Sequence, residues 1–201
     1  MKKKVLAFDA DGVMLNYNEA YPGVYQKAFG KSLELVRPDA YHATNAYGLT
    51  LTPGTVEHDQ FFAHFGEDAW STMPLLPGVR EACWLLHDAG YEIVCVTSMP
   101  TRFQEARRAN FLLHELPIDR VIATGRYLGE HPKKAHIDEL APVAFVDDLA
   151  HNFIGIGPEV HKALIDYGNY DSPNLGQDLT VADSKHGTLL EFAHWWLKTH
   201  H

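Results

Sequence analysis

The segment Phe8-Asp9-Ala10-Asp11-Gly12-Val13 places two carboxylates one residue apart, just past a short apolar run, and follows them with a glycine that frees the backbone to turn. Two acids at that spacing can divide labour. One can attack phosphorus as a nucleophile, while the other gives a proton to a leaving oxygen and later takes one from water, provided their surroundings set their pKa values apart. The ordinary alternative is an acidic turn after a strand, where Asp and Gly are common in any case.

A second acidic pair, Asp147-Asp148, follows the apolar residues 143–146. Gathered at one edge with Asp9 and Asp11, it would make four mutually repelling carboxylates, which a divalent cation with oxygen ligands relieves; magnesium is the natural candidate. Asp147 is the stronger ligand, because Asp148 also suits the cap of a helix starting near Leu149. Thr97-Ser98 closes another apolar run and offers hydroxyl and backbone donors to an anion beside a helix N-terminus. Hydroxyl residues end strands and cap helices so often that this pair signifies little without the acids. Lys133 and Lys134 open a helical pattern ahead of the Asp147 run, where one ammonium could neutralise charge on Asp9 and on a transferring phosphoryl group. A solvated lysine is the default, and the spacing to Asp147 favours Lys133.

These residues need elements to hold them. Short apolar runs recur at 4–8, 92–97, 119–124, 143–147 and 161–166, and each reads as a buried parallel strand. Between them lie helical patterns at 77–89, 101–113 and 132–140. The alternation predicts a doubly wound α/β domain with a mainly parallel sheet, whose ligands bind beyond the carboxyl ends of the strands. Asp9, Thr97 and Asp147 all fall at such ends. Residues 16–73 break the alternation, with helical patterns at 21–29 and 55–65, and read as a largely helical insertion. The expected division is a discontinuous core of 1–15 and 74–201 and an inserted unit of 16–73.

Composition narrows the functional classes. The 201 residues are 46% hydrophobic and carry a formal net charge of -9, which suits one sizeable core and argues against a nucleic-acid or anionic-membrane surface. The Lys2-Lys3-Lys4 run precedes an apolar stretch that Asp9 and Asp11 interrupt, unlike a signal peptide or membrane span, so a cytoplasmic protein is expected. Cys83 and Cys95 read as small core residues, zinc-type Cys/His spacing is absent, and His200-His201 is given no role.

Taken in order, DADGV at 9–13, VTS at 96–98, Lys133 and FVDD at 145–148 resemble the four motifs of the haloacid dehalogenase-like hydrolase superfamily, and residues 76–98 resemble its segment joining insertion to core. The resemblance runs from residue 4 to about 152 and excludes the insertion. It implies a Rossmann-like core in which Asp9 forms an aspartyl-phosphate and Asp11 acts as general acid and then general base. It also implies magnesium held by the side chains of Asp9 and Asp147 and the backbone carbonyl of Asp11, with Asp148 an ambiguous further ligand. Thr97 and Lys133 would hold phosphoryl oxygens, helped by loop amides after Asp9; Gly12, Ser98 and Lys134 complete the candidate phosphate-binding set.

The superfamily's dehalogenases lack a carboxylate at the position of Asp11, so phosphoester chemistry is expected, with a helical cap of the first type favouring a small phosphorylated metabolite. A phosphomutase resembling beta-phosphoglucomutase would use the same intermediate. A non-catalytic phosphate- or metal-binding regulator is the alternative from another class. A phosphonatase would need a cap lysine, for which Lys27 and Lys31 are the candidates. Tyr21, Tyr25, His42, Asn45, Tyr47 and His58 are candidate substrate contacts in the insertion that no spacing ranks, and oligomeric state is left open.

Overall fold

The structure is a computed structural model that describes residues 3–125 and 131–200, so Lys2 and His201 lie outside the described residues. Its centre is a six-stranded sheet in the order β3-β2-β1-β4-β5-β6, formed by β1 (Val5–Phe8), β2 (Glu92–Thr97), β3 (Arg120–Ala123), β4 (Ala144–Asp147), β5 (His161–Ile165) and β6 (Ser184–His186). Every pairing is parallel. The five apolar runs therefore form the first five strands, as expected. The sixth is a polar three-residue edge strand with no run to announce it.

Parallel strands need covered faces. Alternate residues of β1 divide accordingly: Leu6 and Phe8 face one apolar cluster, Val5 and Ala7 the other. The first cluster is closed by α5 (Val79–Asp88), α6 (Gln104–Leu113) and α8 (Leu189–His200), through residues such as Cys83, Phe111 and Trp196. The second is closed by Ile137 of α7 (Lys134–Leu140) and by Phe153 of a short 3-10 turn. Cys83 and Cys95 are buried free thiols within the first cluster. Burial pushes the Cys83 thiol up to about 12, so it is inert near neutral pH.

The chain leaves β1 for β2 and β3 on one side, then returns to place β4 on the other side of β1. Such a reversal opens a crevice beyond the carboxyl ends of the two strands it separates. Here those strands are β1 and β4, so Asp9 and Asp147 meet there by topology.

Residues 16–73 contain α1 (Tyr21–Phe29), α2 (Ala43–Ala46), α3 (Val56–Ala63) and α4 (Glu67–Ser71) and no strand. Pro22 lies in the first turn of α1, and Gly30 ends it at φ 68°, as the sequence pattern requires. The two ends of this segment run side by side. Asn16 N donates to Pro74 O at 2.9 Å, and Leu76 N donates to Met14 O at 3.0 Å. No described helix is long and apolar enough to cross a membrane.

Candidate active site

Asp9 extends β1 by one backbone rung, its N–H donating to Val146 O at 2.9 Å. Its carboxylate accepts from Ala10 N at 2.7 Å and meets the Lys133 ammonium at 2.8 Å. Lys133 stands at the N-terminal boundary of α7, is wholly enclosed, and donates to Asp147 at 2.7 Å as well. Burial would lower its pKa, but Asp147 and Asp9 outweigh that and hold the ammonium above the ordinary lysine range. Lys134 points elsewhere. Its ammonium pairs with Asp138 one turn along α7, and it lies outside the cavity described below.

Carboxylate oxygens of Asp9, Asp147 and Asp148 lie within 4.8 Å of one another, and all three residues are buried. Burial pushes Asp147 up to about 6 against the pull of Lys133, and pushes Asp148 well above its usual range with help from Asp147 and Asp9. Three hard oxygen donors against one ammonium fit a divalent cation, which would offset the excess negative charge. The Asp11 side chain stands apart from this cluster, bonded to Arg107 at 2.6 Å. Burial raises the Asp11 pKa, with Arg107 opposing it and Asp9 adding to it. The two acids of the DADG turn therefore sit in different surroundings, Asp9 against an ammonium and Asp11 against a guanidinium.

Gly12 is the turn residue that permits this approach. It sits at φ 79°, and a Cβ there would come within 2.0 Å of Asp148 Oδ2. Asp148 does not cap the following turn as expected: Leu149 N donates to Asp147 Oδ1 at 2.9 Å, and Asn152 Nδ2 donates to the same atom at 2.9 Å. The side chain of Asp147 is turned toward the 3-10 turn, which leaves Asp148 facing the crevice and Tyr41. Asn174 fixes this loop by accepting from Ala150 N at 2.8 Å and donating to Asp148 O at 2.7 Å.

Asp9, Asp11, Gly12, Thr97, Ser98, Lys133 and Asp148 line a cavity of about 920 Å³. Thr97 is buried and Ser98 exposed. Residues 16–73 supply part of the wall, including Tyr21 and His42. Tyr25, Asn45, Tyr47 and His58 lie off it, as do Lys27, which pairs with Asp68 at 2.5 Å, and exposed Lys31.

Tyr41 enters from the same segment to line the cavity with Asp148, and burial together with the Asp148 charge raises its phenol pKa. Asp171, in the loop after β5, accepts from Tyr41 N at 2.5 Å, His42 N at 3.3 Å and Asn45 Nδ2 at 2.5 Å. This clasp, Arg107, Asn152 and Asn174 were not legible as site residues. Only Arg107 carries a usable signal: it shares the helical phase of Phe103, Ala106, Asn110 and Phe111, an inward face for a charged residue.

Among solved structures, the chain is similar to a predicted phosphatase from Clostridium acetobutylicum, with TM-score 0.64, 17% identity, and coverage of 98% of this chain and 100% of that one. It is also similar to a haloacid dehalogenase-like family hydrolase from Streptococcus pneumoniae, with TM-score 0.63, 16% identity and coverage of 96% and 98%. The chain has the haloacid dehalogenase-like fold. An L-2-haloacid dehalogenase shares it as well, with TM-score 0.58, 13% identity and coverage of 98% and 100%. The haloacid dehalogenase-like fold thus occurs both in a predicted phosphatase and in a dehalogenase, and cannot by itself choose between those chemistries. No protein-family model matches the sequence, and no curated protein matches it.

Proposed function

We propose that this protein is a magnesium-dependent phosphohydrolase that cleaves a small phosphorylated metabolite through an aspartyl-phosphate on Asp9. The observation that carries this reading is the pairing of Asp9 with the enclosed Lys133 ammonium at 2.8 Å, beside a second carboxyl on Asp11 that faces the same cavity. The nucleophile and the proton carrier are separate groups, as a two-step phosphoryl transfer requires. A carboxyl at position 11 also favours phosphoester chemistry over dehalogenation, since an alkoxide leaving group needs a proton and a halide does not.

In the first step an Asp9 oxygen attacks phosphorus, the bond from phosphorus to the leaving oxygen breaks, and that oxygen takes the proton of Asp11. In the second step Asp11 removes a proton from water as it attacks the aspartyl-phosphate, which releases inorganic phosphate and restores the Asp9 carboxylate. Lys133 stabilises charge on the phosphoryl oxygens, and Thr97 and Ser98 offer it donors. Asp9, Asp147 and Asp148 would hold magnesium, whose contribution is to offset repulsion between the nucleophile and the phosphate. Residues 16–73 act as a cap that walls the cavity and keeps large substrates out.

The test is phosphate release from a panel of small phosphomonoesters, with magnesium or chelator, by the wild type and Asp9→Asn. Release by the magnesium-loaded wild type alone supports the reading. Undiminished release by Asp9→Asn overturns the mechanism, and isomerised sugar phosphate without phosphate release points instead to a mutase.

A further inference from the structure

Arg107 is 0% exposed, on the inward face of α6 and directly behind Asp11. Its Nη2 donates to Asp11 Oδ1 at 2.6 Å, Nη1 lies 3.3 Å from Met73 Sδ, and the guanidinium carbon is 5.1 Å from the centre of the Trp70 ring. Nε has no hydrogen-bond partner among the described residues. Arg107 does not line the cavity, whereas Asp11 and Trp70 do.

An arginine so fully enclosed and incompletely satisfied is a poor stabilising device, because its desolvation consumes most of what one ion pair returns. The attachment of α6 to the returning end of residues 16–73 does not depend on it either. Asn110 Nδ2 donates to Met73 O at 3.0 Å, and His114 Nε2 lies 2.8 Å from the same oxygen. What Arg107 adds is a bond to one oxygen of Asp11, a residue that lines the cavity.

We infer that Arg107 is a positioning residue for the acid-base carboxyl of Asp11, and that it ties that carboxyl to Trp70 and Met73 at the return of the inserted segment. The inference rests on the phosphohydrolase reading given above. Arg107 touches no substrate; it acts by holding Asp11 in line with the leaving oxygen, where loss of orientation is costly.

The decisive readout is leaving-group dependence. The value of kcat/KM covers steps up to release of the leaving group, and only a poor leaving group needs the proton of Asp11. In Arg107→Met, kcat/KM for an alkyl phosphate should fall about 100-fold, while that for p-nitrophenyl phosphate falls by no more than about threefold. Asp11→Asn should give the same asymmetry, and adding Arg107→Met to it should cost little more. Arg107→Lys keeps the charge but not the fork, and should show the same bias in weaker form; it decides the matter if Arg107→Met does not fold. Equal losses on both substrates, or additive losses in the double variant, overturn the inference alone. Absence of phosphate release by the wild type from either substrate overturns the reading of the site and this inference with it.

Discussion

Lys133 joins Asp147 at 2.7 Å across the floor of the crevice, and both side chains are closed to solvent. The same ammonium reaches Asp9, so one cation serves two carboxylates. Removing one partner of a buried ion pair strands the other, which typically costs about 3–5 kcal/mol. Lys133→Met should therefore lose roughly that much stability in urea unfolding, together with catalysis. Lys134→Met, which breaks only a surface pair with Asp138, should stay within about 0.5 kcal/mol of the wild type and keep its activity. Similar losses in the two variants would show that the buried pair has no special weight.

The acid cluster also ties stability to pH and metal. Burial holds Asp147 at about 6 and Asp148 above its usual range, against about 4 for Asp in an unfolded chain. Between those values the folded state keeps protons that the unfolded state has released, so stability of the metal-free protein should fall as pH rises through that window. A divalent cation binds the ionised carboxylates and competes with protons. Magnesium should then raise Tm clearly at about pH 7.5 and little at about pH 4.5. Thermal melts in magnesium and in chelator at both pH values check this; a metal effect that does not change with pH would contradict it.

The Asp171 clasp predicts a local effect without a global one. Burial opposes ionisation of Asp171, but donors from Asn45, Tyr41 and His42 outweigh it and hold its carboxyl below the ordinary range. A carboxyl held low contributes its stability above the unfolded value near about 4 and loses it as pH falls through the folded value, so the clasp should persist at neutral and mildly acid pH. Asp171→Ala should speed amide exchange at Tyr41 and His42 while changing global stability by less than about 1 kcal/mol. Unchanged protection at those two amides would mean that the segment is held by something else.

How far the sequence reveals this site depends on the range of the forces involved. Apolar runs ending in acid placed β1 and β4 and brought Asp9 to Asp147, because strand burial and parallel topology leave a local pattern. Helix α1 matched its predicted span of 21–29 for the same reason, with a proline at its start and a glycine past its end. Arg107 and Arg108 are adjacent and alike in type, yet one is enclosed and the other solvated. That difference arises from the phase of α6 against Trp70 and Met73, contacts with residues more than thirty positions away. Tyr41 and Asp171 are 130 residues apart, and no local pattern records their meeting. That Asp147 and not Asp148 bonds the following turn was hidden for a subtler reason: adjacent identical residues differ only in which way the strand end turns them.

Because Asp9 N donates to Val146 O, the proposed nucleophile is tied by its backbone to the central ladder, one residue past the end of β1. Its backbone cannot shift unless the middle of the sheet opens. Warming should therefore not silence the chemistry ahead of global unfolding. The segments around Tyr41 and Asp171, by contrast, are held to each other by the Asp171 side chain and not by the sheet. Under the proposed function, that rim could be altered to accept another leaving group while the attacking atom stays where β1 puts it.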